Sequence, residues 1–248
     1  MIKLYNKSEL GFSLVFIAIY IVGASICDIF SDMLNISKVF TMPFLLILSL
    51  LLIFWINQNN LSLKYGLCKP NFKPKYFLFY IPLAFLISTN VWFGVQLNFT
   101  IVESILNVLA MLLVGFVEEI IFRGFLFKSL EKENFNLAII VSSITFGFGH
   151  IINLFLNGPD HLLSNVCQIF YATAVGFLFV IMFYKGGSLV VCILTHSLVN
   201  ALSVFQNIQA VQGLTEILIS VAIIIVSISY AIILLKTLNS SKQKQEKE

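Results

Sequence analysis

The chain has 248 residues, 59% hydrophobic and only 11% charged, with a mean hydropathy of +0.97 and a net charge of +3; soluble domains are about 45–50% apolar and about 25% charged. A water-soluble core cannot absorb this much apolar surface, so an ordinary soluble domain is excluded. A charge this small, with its basic residues scattered through short loops, also excludes a nucleic-acid-binding surface.

The remaining solvent is lipid, where a spanning helix needs about 20 mostly apolar residues. Apolar runs between polar breaks predict eight spans: Leu10 to Ile26, Val39 to Ile56, Tyr76 to Val95, Ile101 to about Phe127, Leu137 to Ile152, Leu162 to Tyr184, Ser188 to Phe205 and Leu214 to Leu235. The fold class is therefore all-α, a polytopic transmembrane bundle in one domain over residues 1–235, with a charged, disordered tail over 236–248. The first run follows Lys3 and Lys7 without a small-residue cleavage site before the next span, so it reads as a retained helix and not a signal peptide. Pro43 and Pro82, inside or near the start of spans, begin or kink helices. Cys27, Cys68, Cys167 and Cys192 have no CxxC spacing and read as small hydrophobes.

Cytoplasmic loops carry an excess of Lys and Arg. With the N-terminus inside and eight spans, 14 of the 15 basic residues fall on the inner side and only Lys38 lies outside. Both termini are thus expected in the cytoplasm. Asp28, Asp32, Glu103, Asp160 and His161 fall in or next to outer loops, where they are expected to be solvated.

Ionisable groups within a span cost at least about 2.5–3.5 kcal/mol and usually face the bundle interior with a function. The fourth span contains VEEIIFRGF. On a helix Glu119 and Arg123 share a face as an ion pair, while Glu118, about 100° around the axis, is left without that partner. The fifth span ends in FGFGHIIN, with His150 one turn after Phe146, Asn153 near the same face, and Gly147 and Gly149 allowing close helix approach. An antiparallel hairpin turning near Asn134 brings Glu118 and His150 to one depth. The seventh span carries His196 and Asn200 as an i, i+4 pair at an overlapping depth. Any one of these residues alone could be structural, but Glu118, His150, His196 and Asn200 together point to a buried site.

In order along the chain, EEIIFR (Glu118 to Arg123), FGFGH (Phe146 to His150) and HSLVN (His196 to Asn200) resemble the EExxxR, FxxxH and HxxxN/B motifs of the CPBP intramembrane proteases. That family includes type II CAAX prenyl endopeptidases and abortive-infection, bacteriocin-processing and bacteriocin-immunity proteins. The motifs lie within a core of about 101–205; outside it the chain resembles the family only in being hydrophobic helix. The resemblance implies that Glu118 and His150 activate water, that His196 and Asn200 stabilise the oxyanion, and that Glu119 and Arg123 have structural or orienting roles.

A low-dielectric site strengthens both water activation and oxyanion donors. No cofactor is favoured. Zinc stays open, with Glu118, His150 and His196 as three ligands and a fourth position for water. Asn200 suits an oxyanion donor better than a zinc ligand, which favours the glutamate mechanism. The resemblance further implies an integral protein of a bacterial membrane acting on a peptide or a lipidated protein, such as a prenylated or leader-peptide substrate. Two readings from other classes are a non-proteolytic immunity factor or peptide-binding scaffold and, with no internal repeat to support it, a proton-coupled transporter.

Overall fold

The structure, a computed structural model, describes residues 1–71, 80–156 and 161–238. Asp160 and the tail from residue 239 onward lie outside the described residues. Among the described residues, each apolar run expected to span is helical over most of its length. A short α1 (Ile2–Lys7) leads into α2 (Glu9–Met33) and α3 (Thr41–Gln58). Then come α4 (Tyr80–Ser88), continued by a 3₁₀ turn to Val91, and α5 (Ile101–Glu118), which runs on through a π-helix (Glu119–Phe127) into α6 (Lys128–Glu131). The remaining helices are α7 (Phe135–Gly149), α8 (Ile152–Leu156), α9 (Leu162–Gly186), α10 (Val190–Ser203) and α11 (Leu214–Thr237).

Among the described residues, six helical stretches are long and apolar enough to cross a membrane: Glu9–Met33, Thr41–Gln58, Ile101–Glu131, Phe135–Leu154, Leu162–Gly186 and Leu214–Thr237. For the other two of the eight expected spans the described residues give shorter apolar helices, Tyr80–Val91 and Val190–Ser203. Side chains such as Phe54, Phe170, Ile47 and Leu218 stand exposed around the bundle, an apolar girdle far larger than the patches a soluble monomer shows.

Local chemistry sets the helix ends. Ser8 caps α2 by accepting from the Gly11 amide, and Thr100 and Glu103 form a reciprocal capping box at the start of α5. Gly187 ends α9 in the left-handed conformation that a glycine adopts without penalty. Pro43 sits in the first turn of α3, where no intrahelical N–H is required, and Pro82 lies within α4.

Hydrogen bonds tie the connections into two ends. At one, Ser37 donates to Glu103, Gln96 N–H to the Phe205 carbonyl, and Asn98 to the Gln206 carbonyl. At the other, Lys64 and Lys132 both reach Glu9, Asn71 N–H donates to the Gly186 carbonyl, and Lys185 donates to the Leu235 and Leu238 carbonyls at the close of α11. The core packs α5 against α3 and α10, and α9 against α7 and α11.

Two of the acidic groups expected to be solvated, Asp28 and Glu103, behave differently. Asp28 and Asp32 lie within α2, and Asp28 accepts from Lys38 and Thr41 in a half-buried cluster. Glu103 is engaged by Ser37 and by Thr100. The Asp28 and Glu103 carboxylates find partners because the ends of α2, α3 and α5 converge there, while Asp32 is exposed, as expected. His161 is exposed, as expected.

Candidate active site

The EEIIFRGF segment departs from α-geometry: after Glu118 the backbone takes up a nine-residue π-helix. Such i→i+5 turns are rare and often mark functional sites. The Ser142 hydroxyl of α7 donates to the Phe122 carbonyl of this segment at 2.8 Å, tying the widened turn to its neighbour. Despite the wider turn, Arg123 Nη1 still donates to Glu119 Oε1 at 3.0 Å, and both side chains are fully buried. Aromatic rings also face the charge: the guanidinium carbon lies 3.9 Å from the centre of the Phe146 ring, with Phe179 beyond it.

Glu119 also meets His196, whose Nδ1 lies 2.8 Å from Oε1. With Glu119 paired to Arg123 and therefore an acceptor, Nδ1 carries the hydrogen. This sets the tautomer and turns Nε2 toward Glu118, 3.4 Å from its Oε2. Phe146 stands edge-on to both His150 and His196, with centroids 5.6 Å away in each case. The first position of the FxxxH motif is thus a wall shared by three polar residues.

Glu118 is not left alone. Tyr20 of α2 donates its hydroxyl to Oε1 at 2.6 Å, whereas Oε2 has no hydrogen-bond partner among the described residues. The sequence reading missed Tyr20. The available signal was a phenol in the middle of an otherwise apolar span, and a buried Tyr hydroxyl usually finds a partner.

A cavity of about 640 Å³ brings Tyr20, Glu118, His150, His196 and Asn200 to a common wall. His150 caps α7 where the helix stops, and it and Asn200 are half-buried. Asn153 also lines the cavity, though from α8 beyond a break in the helix, and donates to Gln168 at 3.0 Å. Glu119 and Arg123 lie behind the wall and do not line it.

Close helix approach makes this convergence possible. A Cβ on Gly115 would lie 2.5 Å from the Ser197 amide nitrogen and hydroxyl, one residue from His196. One on Gly147 would lie 1.9 Å from Thr173 Oγ1 and 2.8 Å from the Ile169 carbonyl. These contacts seat α10 on α5 and α9 on α7.

Among the described residues, no group of three His, Cys, Asp or Glu side chains is arranged to hold a metal ion.

Residues 100–202 match the model of the family described as type II CAAX prenyl endopeptidase, Rce1-like. A Bacillus subtilis protein named "Putative membrane peptidase YdiL" is 30% identical over 101 residues, covering 40% of this chain and 36% of that protein. The chain thus matches about a third of that relative's length. No solved structure matches the chain. The matched segment runs from the α5 cap to the end of α10 and contains all three motifs, and together with the six long apolar helices it makes this an integral membrane protein. Over residues 100–202 the chain is thus similar to the Rce1-like, type II CAAX prenyl endopeptidase family, the resemblance that the motifs had indicated.

Proposed function

We propose that the protein is an intramembrane endopeptidase that hydrolyses a peptide bond by a metal-free glutamate mechanism. The observation that carries this reading is the asymmetry of the Glu118 carboxylate: Oε1 is held by Tyr20, and Oε2 has no hydrogen-bond partner on a cavity wall shared with His150, His196 and Asn200. A carboxylate positioned in this way can hold and deprotonate water.

Water, oriented by Glu118 and His150, gives a proton to Glu118 as its oxygen attacks the carbonyl carbon. Asn200 donates from its amide to the developing oxyanion, a contribution of about 2.7–4 kcal/mol for a well-placed donor. The proton then passes to the departing amide nitrogen as the C–N bond breaks, with His196 Nε2 near enough to Glu118 to carry it. Ring charge that forms on His196 in this step is met by Glu119 at Nδ1, and Arg123 offsets the charge of Glu119. The products are a carboxylic acid and an amine. The substrate class is a membrane-associated peptide, including lipidated or leader-bearing chains.

The test is cleavage of a quenched peptide library by the purified, detergent-solubilised protein. Glu118→Gln keeps the shape and removes the base, so cleavage should fall by three orders of magnitude or more, and thorough chelation should leave the wild type unaffected. Chelator-sensitive cleavage restored by zinc would replace the mechanism with a metal-dependent one. An inert wild type that retains a cellular phenotype shared by Glu118→Gln would replace catalysis with peptide binding or immunity.

A further inference from the structure

The cavity is strongly one-sided. Its lining residues come from nearly every long helix, and most of these contribute only the half that leads to one end of the bundle, while α5 gives its middle, from Met111 on to Phe122 of the π-helix, and α9 reaches down to Phe179. From α2 these run from Tyr20 to Asp28, from α9 they begin at Ser164, and α10 supplies His196 to Ser203. The mouth is formed by Asp28, Lys38, His161, Gln206, Ile208 and Glu216. His161 and Ile208 among them are exposed. Among the described residues nothing from the opposite end, the N-terminal segment, the 57–71 connection, α6 or the α9–α10 turn, lines it.

The two ends also differ in charge. The end away from the mouth holds Lys3, Lys7, Lys64, Lys69, Lys128, Lys132, Lys185 and Lys236 among the described residues, whereas the mouth end holds Lys38 alone, beside Asp28, Asp32, Glu103 and Glu216. Membrane proteins keep their Lys-rich connections in the cytoplasm. The Glu118 level is therefore reached by water and substrate from the other side.

We infer that the cavity opens to the non-cytoplasmic face, and that the substrate is a polypeptide segment presented there, not a C-terminus lipidated in the cytosol. This rests on the proteolytic reading for what happens to the segment, but not for where it enters. At about 640 Å³ the cavity is in the usual 300–1,000 Å³ range for small-ligand sites, so it admits a short extended stretch and no folded domain. The acidic rim favours a polar or cationic flank.

Two measurements test the inference. In a chain with Cys27, Cys68 and Cys167 changed to Ala and fully buried Cys192 retained, single cysteines are placed in the cavity by Ser25→Cys or Ser164→Cys and at the opposite end by Glu133→Cys. In intact cells a membrane-impermeant maleimide should modify the cavity cysteines at least tenfold faster than Glu133→Cys, which should react only after permeabilisation. Cavity cysteines that need permeabilisation, or that react from the same side as Glu133→Cys, would overturn the inference. With the unmodified chain, the quenched peptide library should be cleaved by sealed right-side-out vesicles and spared by inside-out ones. Cleavage only by inside-out vesicles would refute the entry side while leaving proteolysis intact. Labelling as expected with cleavage in neither orientation would sustain the entry side and refute proteolysis.

Discussion

At the residue scale, the site consists of two carboxylates given different tasks by their surroundings. Glu119 is fully buried and holds Arg123 and His196; Glu118, beside it in sequence, faces the cavity with one oxygen on Tyr20. Removing one member of a buried ion pair leaves an uncompensated charge and costs about 3–5 kcal/mol, whereas replacing both partners by groups of similar volume is often neutral. Arg123→Met should therefore lower the melting temperature in detergent sharply, and the Glu119→Gln, Arg123→Met double variant should recover most of the loss while staying inactive. If the double variant is as unstable as the single one, Arg123 contributes by packing on Phe146 instead. Tyr20→Phe removes a hydrogen bond to a charged group worth about 1.5–3 kcal/mol. Because that bond orients Glu118, kcat should fall tenfold or more with KM nearly unchanged, in steady-state kinetics on a cleaved peptide.

At the scale of elements, glycine positions decide how the site closes. Gly115→Ala and Gly147→Ala would force backbone and hydroxyl atoms of α10 and α9 outward, since a Cβ would meet them at 2.5 Å and 1.9 Å. Overpacking of this kind costs about 1–3 kcal/mol, and displacement of His196 should lower hydrolysis beyond the stability loss. Gly124→Ala is the internal control: its Cβ would meet nothing closer than 3.7 Å, so melting temperature and activity should stay near wild type. Equal damage at all three positions in a thermal-shift series would show that the effect is not helix approach. The π-helix was illegible in the sequence, because a reading at 3.6 residues per turn registers only that Glu119 and Arg123 lie near one another. The Ser142 bond to Phe122 that ties this turn to α7 joins residues far apart in the chain.

At the scale of the whole molecule, charge and hydropathy set how the bundle sits in lipid. The hydrogen-bonded ends place Glu9, Lys64 and Lys132 together and Ser37, Asn98, Glu103 and Gln206 together, consistent with chain segments that alternate in direction. A fluorescent reporter that matures only in the cytoplasm, fused after Thr237, should be bright, and the same reporter fused after Gln209, before α11, should be dark. The reverse pattern would invert the orientation. Composition alone determined that the chain is helical and resides in a membrane, since apolar content and span length are sums over local sequence that lipid reads directly. The three motifs likewise singled out Glu118, His150, His196 and Asn200, all of which line the cavity, because i, i+4 spacings such as His196 to Asn200 are properties of single helices. Only the tertiary structure decided which carboxylate faces the cavity, that Tyr20 holds it, that Phe146 supports Arg123, and at which end the cavity opens. Those contacts join helices distant in sequence, and which atoms they bring within reach depends on packing that no local pattern encodes.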